Sequence, residues 1–408
     1  MSSRLRSHPV TGRRRRRIGI GLSALVVGAL GAGVGMTAMG TQVSPTASTS
    51  PAPAPAAPAS PAAVPQAAPG LPDCTGMVNA LSTRDRLAQR LMVGVDAADP
   101  AGAVTIVRDS QVGGVFLGGN ETALLQNEKL EAVQKVSRTP LAVAVDDEGG
   151  RVQRIDDLDG ELPSARSMAA SKTPEQVTAL AKDRAEKLRA RGVTWNLAPD
   201  VDTSDQPKSD VIGDRSFSDD PAVVTRYALA WAQGQEAGGV YGMLKHFPGH
   251  GHSSGDSHKG AVSTPPLSEL KQRDLLPYGD LVGAGRPLDG RTGVMVGHLD
   301  VPGLTKDVPS SLEPAVYELL RGEYRFDGVV MTDDLGAMKA ITDRFGLAAS
   351  TTKALAAGTD IALFSNVTKV APLLDAAEKA LEKGEITAAD NDRAVARVLA
   401  AKGLCART

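Results

Sequence analysis

The sequence predicts an α/β fold, a (β/α)8 barrel of the TIM type, on three observations. Short apolar runs alternate with longer Ala/Leu/Glu/Lys-rich stretches of helical character, eight times over, from Cys74 onward. Several of the short runs are uniformly apolar rather than alternating, as parallel strands covered on both faces require. Polar residues gather at the C-terminal ends of those runs, which is the end where such a barrel builds its site. A doubly wound open sheet is the alternative, but no Gly-rich phosphate fingerprint follows the first run.

In order, strands are expected at 91–96, 113–117, 141–146, 193–198, 242–247, 294–298, 328–332 and 361–364. Helical patterns lie between them at 174–191, 221–237, 311–324 and 371–383. Hydrophobic residues make up 42 % of the 408, enough for a sizeable core, and aromatics only 3 %, so Ala and Val do most of the filling. The formal net charge of −2 leaves no basic footprint, so no nucleic-acid partner is expected.

The first 72 residues do not belong to that core. Arg13–Arg17 is followed by an apolar, Gly-rich run to Gly40, with small residues at Ala38 and Gly40. Residues 1–40 read as an export signal. An uncleaved membrane anchor is the alternative, since the run is long enough to span a bilayer. No cysteine sits near its end, which argues against a lipoprotein. Residues 41–72 carry nine prolines and almost no charge, and so read as a disordered linker. Extended at ~3.1 Å per residue, it would reach on the order of 100 Å, which suits an enzyme held on a cell envelope. Residues 73–408 form the barrel domain. The only two cysteines, Cys74 and Cys405, bracket it. In an exported chain that placement suggests one disulfide joining the ends, with two unrelated buried thiols as the alternative.

The polar residues at strand ends come in sequence. Asp96 ends the first strand, Asp146-Asp147-Glu148-Gly149-Gly150-Arg151 follows the third, and Asn196, Asp200 and Asp202 follow the fourth. Lys245 and His246 end the fifth, His298 the sixth, and Asp333-Asp334 the seventh. Any one of them is an ordinary helix cap in isolation, but capping does not account for six such sites at one end. After the fifth strand comes a Gly-rich loop holding four of the six histidines, His246, His250, His252 and His258. Histidine titrates near neutrality, and a cluster of it in a loop points to function more than to packing.

These residue types suit chemistry on a sugar. Asp333, on a rigid strand end, can serve as nucleophile to an oxocarbenium-like centre. Lys245, Arg215 and Arg151 can donate to hydroxyls, and Asp146 can accept from two. Most glycosidases pair two carboxylates. Here the better second partner is His258, with Asp256 two residues earlier to fix its tautomer and support its protonated form.

The run Lys245-His246-Phe247-Pro248-Gly249-His250-Gly251, with Asp256-Ser257-His258 downstream, resembles the signature of glycoside hydrolase family 3, and in particular its bacterial β-N-acetylglucosaminidases. The blocks Val145–Arg154, Asn196-Leu197-Ala198-Pro199, Gly213–Phe217 and Thr332-Asp333-Asp334-Leu335 agree with it, in order, over nearly all of residues 74–407. The resemblance implies a barrel and a retaining, two-step mechanism with no metal or other cofactor. It implies Asp333 as nucleophile, His258 as acid/base with Asp256 as its partner, and Asp146, Arg215, Lys245 and His246 as ligands of N-acetylglucosamine. Two departures stand out. His252-Ser253-Ser254-Gly255 occupies a place where acidic residues are expected, and no second α/β/α domain follows, so barrel loops alone are expected to complete the site. The expected partner is a carbohydrate, from cell-wall fragments or chitooligosaccharides, and the expected state is a monomer.

Four other readings stay open on sequence alone. One is a metal-dependent barrel hydrolase using His246, His250, His252 and His258. Another is a wall-binding protein without catalysis, which would be expected to lack Asp333 or His258. A third uses the substrate acetamido group as nucleophile, with Asp333-Asp334 orienting it. The last is phosphorolysis, since a neutral imidazole repels phosphate less than a carboxylate does.

Overall fold

Each expected apolar run becomes a strand: β1 (Leu91–Gly94), β2 (Gly114–Leu117), β3 (Ala142–Val145), β4 (Trp195–Asn196), β5 (Tyr241–Phe247), β6 (Thr292–Val296), β7 (Val330–Asp334) and β8 (Ile361–Phe364). All neighbours pair in parallel, and β8 returns to β1, so the expected (β/α)8 barrel closes in chain order. This computed structural model describes residues 73–367 and 369–406. The expected export signal (1–40) and linker (41–72) lie outside the described residues. Among the described residues, no helix is long and apolar enough to cross a membrane.

The two-residue period of a strand divides the core. Met92, Phe116, Ala144, Trp195, Met243, Met295, Met331 and Leu363 point inward and pack together inside the barrel. Unbranched Met fills the irregular centre of a barrel that has few aromatics. The alternate residues, such as Val93, Val115, Val143, Leu244 and Val330, face the helices outside. Those helices start on conventional caps. Thr173 closes a capping box with Gln176 ahead of helix Pro174–Ala190, and Asp220 accepts from Ala222 N–H ahead of helix Pro221–Ala237. The helix expected over 311–324 is broken instead into turns at Ser310–Leu312, Pro314–Glu318 and Leu319–Glu323. Pro314 disfavours a helical conformation at Glu313, which explains the break.

The two ends of the domain meet. Helix Cys74–Ala80 lies against helix Ala388–Ala401, burying Val78, Val395 and Leu399 around a Cys74–Cys405 disulfide with Cα atoms 5.1 Å apart. The expected pairing is therefore present. Cys74→Ser should lower the unfolding free energy by roughly 2–5 kcal/mol, because the crosslink closes a very long loop. Urea unfolding of the two proteins checks this, and two free thiols in denatured, unreduced wild type would refute it.

Candidate active site

At the C-terminal end of the barrel the strand ends and their loops enclose a cavity of about 370 Å³. Its floor is Met295 and Leu363 from the barrel interior, and its walls carry Asp146, Glu148, Arg154, Arg215, Lys245, His246, His258 and Asp333. A larger cleft of about 590 Å³ lies at the opposite end, by Leu141, Trp195 and Tyr241, and holds no comparable convergence of acids and imidazoles.

Asp333 sits within β7, whose pairing with β8 runs on to Asp334. The strand expected over 328–332 is thus displaced toward its C-terminus. Backbone ladders are indifferent to side-chain polarity, so an apolar run ends before the strand does. Asp333 Oδ1 accepts the Asp334 N–H at 2.8 Å. Burial works against its charge, but the imidazoles of His246 and His298, the Asp334 N–H and His258 outweigh it and hold the carboxyl at about 2. Asp333 is an anion at any working pH. His298 itself is fixed at both nitrogens, with Nδ1 2.7 Å from Ser311 Oγ and Nε2 donating to Asp334 O at 3.0 Å, so it braces the strand end. Asp334 turns away to cap the following turn, accepting from Gly336 N and Ser365 N and pairing with the Ser365 hydroxyl.

A buried ionic cluster faces Asp333. Glu148 receives Arg215 at both carboxylate oxygens (2.8 and 2.9 Å) and Lys245 Nζ at 2.5 Å. Burial would raise the Glu148 carboxyl, but the two cations drive it below the usual carboxylate range. Lys245 Nζ also donates to Asp146 Oδ1 at 2.9 Å. His246 donates Nδ1–H to Asp202 at 2.7 Å and presents Nε2 to Arg215 Nη2 at 3.4 Å. Burial lowers His246 to about 4, so it is neutral near pH 7. Asp202 also accepts the backbone N–H groups of His246 and His250. Burial and the neighbouring Asp202 push the Asp200 carboxyl up. The Lys245–His246 peptide bond is cis.

His258 stands at the mouth, its side chain 64 % exposed, with Nδ1 2.8 Å from Asp256 Oδ1. Lys259 Nζ holds the other Asp256 oxygen at 3.1 Å. The loop is pinned below by buried His250, which meets Ser253 Oγ through Nδ1 (2.8 Å) and Ser257 Oγ through Nε2 (3.1 Å). His252 Nδ1 bonds Asp274 at 2.8 Å. The imidazoles of the four histidines of this region thus share no partner, and they do not meet as one ligand set. Among the described residues, the one trio of metal-ligand side chains with atoms within 4.8 Å of each other is Asp200, Asp202 and His246. There Asp202 already takes the imidazole proton, and Arg215, 3.6 Å from Asp200, supplies the positive charge.

Arg151 is placed differently from the sequence expectation. Its guanidinium donates to the carbonyls of Lys208, Asp210, Val211 and Ile212 and pairs with Asp214, so it staples a loop and does not line the cavity. Arg154 lines it instead. Gly149 and Gly150, at φ 89° and 60°, reverse the chain, and buried Asp147 accepts Arg154 N and Ile155 N. Asn196 ties this turn to the barrel through Asp147 N and O. Arg154 Nη2 lies 3.9 Å from Asp146, and Nε has no hydrogen-bond partner among the described residues. Glu148 and Arg154 are the site residues that sequence reasoning left without a role.

The sequence pattern of the glycosyl hydrolase family 3 N-terminal domain matches residues 82–401. The chain belongs to glycoside hydrolase family 3. It is 47 % identical over 354 residues to β-hexosaminidase LpqI of Mycobacterium tuberculosis, covering 85 % of this chain and 89 % of that one. A β-hexosaminidase of Xylella fastidiosa is 35 % identical over 283 residues, 67 % of this chain and 82 % of its own. Among solved structures, a family 3 member from Mycobacterium smegmatis superposes with a TM-score of 0.77 at 47 % identity, covering 81 % of this chain and 99 % of that chain. A family 3 β-N-acetylglucosaminidase from Paenibacillus gives 0.73 at 29 % identity, covering 81 % and 65 %. As a family 3 glycoside hydrolase, the chain takes a carbohydrate as its substrate.

Proposed function

We propose that this family 3 β-hexosaminidase is an exo-acting, retaining β-N-acetylglucosaminidase that works outside the cell on muropeptide fragments or chitooligosaccharides. The carrying observation is that one cavity is lined by a half-buried, anionic Asp333 and by an exposed His258 that is paired with Asp256. In this reading Asp333 attacks the anomeric carbon while His258 gives a proton to the departing oxygen. His258 then takes a proton from water, which releases the sugar from Asp333. Asp256 accepts Nδ1–H, so Nε2 is the atom that carries the transferred proton. Arg154, Asp146, Lys245, Arg215 and His246 grip the ring, and the three cations among them face three carboxylates, Asp146, Glu148 and Asp333. A floor closed by Met295 and Leu363 admits one terminal sugar. The export signal and linker read in residues 1–72 favour an envelope setting.

The test compares an aryl N-acetyl-β-glucosaminide, the aryl β-glucoside and purified wall fragments. The glucosaminide should exceed the glucoside in kcat/KM by at least about 10²-fold, because a site built around one polar group discriminates against its absence. The released sugar should keep the β configuration when followed by NMR. Initial release of the α-anomer, or equal rates on both aryl substrates, would overturn the reading.

A further inference from the structure

The loop that carries Arg215 and the loop that carries His258 meet at the half-buried side chain of Gln206. Its Oε1 accepts the N–H groups of Ile212 (3.1 Å) and Gly213 (3.3 Å), the turn immediately ahead of Arg215. Its Nε2 donates to Gly251 O at 3.0 Å, at the start of the loop that leads to Asp256 and His258. Ser204 Oγ donates to the same Gly251 carbonyl at 3.1 Å and accepts the Gln206 N–H at 3.2 Å. Both ends of this clip are places where backbones touch. A Cβ at Gly251 would lie 1.8 Å from Thr203 O, and one at Gly213 would lie 2.7 Å from the carbonyls of Pro207 and Lys208. Arg151 and Arg166 stiffen the span between them, Arg151 on the carbonyls of residues 208 and 210–212 and Arg166 on those of Ser204 and Gln206.

We infer that Gln206 is a positioning residue that couples the sugar-gripping Arg215 turn to the acid/base loop. Ordering of the Arg215 turn by a bound sugar then orders the Gly251 end of the loop that delivers His258. A single planar amide does this because its oxygen and nitrogen face opposite loops, so neither half works without fixing the other. The inference rests on the β-N-acetylglucosaminidase reading above and adds a control on it. The mechanism does not require the sugar grip and the acid to be linked, and this amide links them.

The two halves of the clip can be cut separately. Gln206→Glu keeps an oxygen for Ile212 and Gly213 but sets a carboxylate against the Gly251 carbonyl; Gln206→Ala removes both halves. For Gln206→Glu, KM for a nitrophenyl N-acetylglucosaminide and the rate of its first step should stay within about twofold of wild type. Turnover of the disaccharide, which needs the proton, should fall on the order of tenfold. Gln206→Ala should add a rise in KM. By hydrogen exchange, N-acetylglucosamine should slow the amides of both 206–215 and 249–258 in wild type, but only those of 206–215 in Gln206→Glu. Equal losses on both substrates, no loss on either, or persistent protection of 249–258 in Gln206→Glu would overturn the coupling alone. A wild-type protein inactive on the glucosaminide would overturn the reading of the site and the coupling with it.

Discussion

Asp333→Ala is expected to abolish turnover of every glycoside, activated or not, by on the order of 10⁴–10⁶-fold. No leaving group compensates for an attack that does not occur. The loss should be the same for nitrophenyl and disaccharide substrates and should not respond to pH between 5 and 8, since the carboxyl it replaces is ionised well below that range, at about 2. A 2-fluoro sugar should label wild type at this residue and leave the variant unlabelled. A covalent adduct found on Asp334, or residual turnover that depends on the substrate acetamido group, would assign the attack elsewhere.

His258→Ala should behave in the opposite way, with a loss set by the leaving group. A sugar alkoxide needs the proton, and its release should slow on the order of 10²–10⁴-fold. A nitrophenolate leaves unaided, so the first step should be nearly spared and the glycosyl-enzyme should accumulate as a burst. Hydrolysis of that intermediate has lost its base, and azide, which needs no deprotonation, should restore turnover and give a glycosyl azide. Asp256→Ala should show a milder form of the same pattern, because it removes the 2.8 Å hydrogen bond to Nδ1 and keeps the ring. Uniform losses with no azide rescue would make His258 a binding residue.

Much of this architecture is legible in the residues themselves, for physical reasons that also mark where legibility ends. β8 falls at 361–364 as the apolar run predicts, because there the run, the burial and the ladder coincide. β4 shrinks to Trp195–Asn196 from an expected 193–198, and at its far end the Ala198 N–H turns back to Asn196 O and leaves the ladder. Nothing local distinguishes Arg151 from Arg154. The choice between them is made by two positive-φ glycines and by Asp147, and by carbonyls of a loop some sixty residues further on. The role of Glu148 is equally non-local, because it depends on Arg215 and Lys245 arriving from other strands. That His258 and Asp333 line one cavity was easier to expect, because each lies in a short, contiguous motif at a strand end or in the loop after one.

The Cys74–Cys405 bond makes the barrel domain a covalent ring, since 331 residue steps separate its two sulfurs and almost nothing of the domain lies outside them. A single proteolytic cut in any of its loops would therefore open the ring without releasing a fragment. The β8–β1 seam, where the first and last strands meet, would remain stitched from outside by the terminal helices. Tension applied through residue 73 would likewise pass across the disulfide to the last helix before any strand could be peeled away. For a domain read as hanging from an envelope by its N-terminal arm, the point of attachment is also the point of closure.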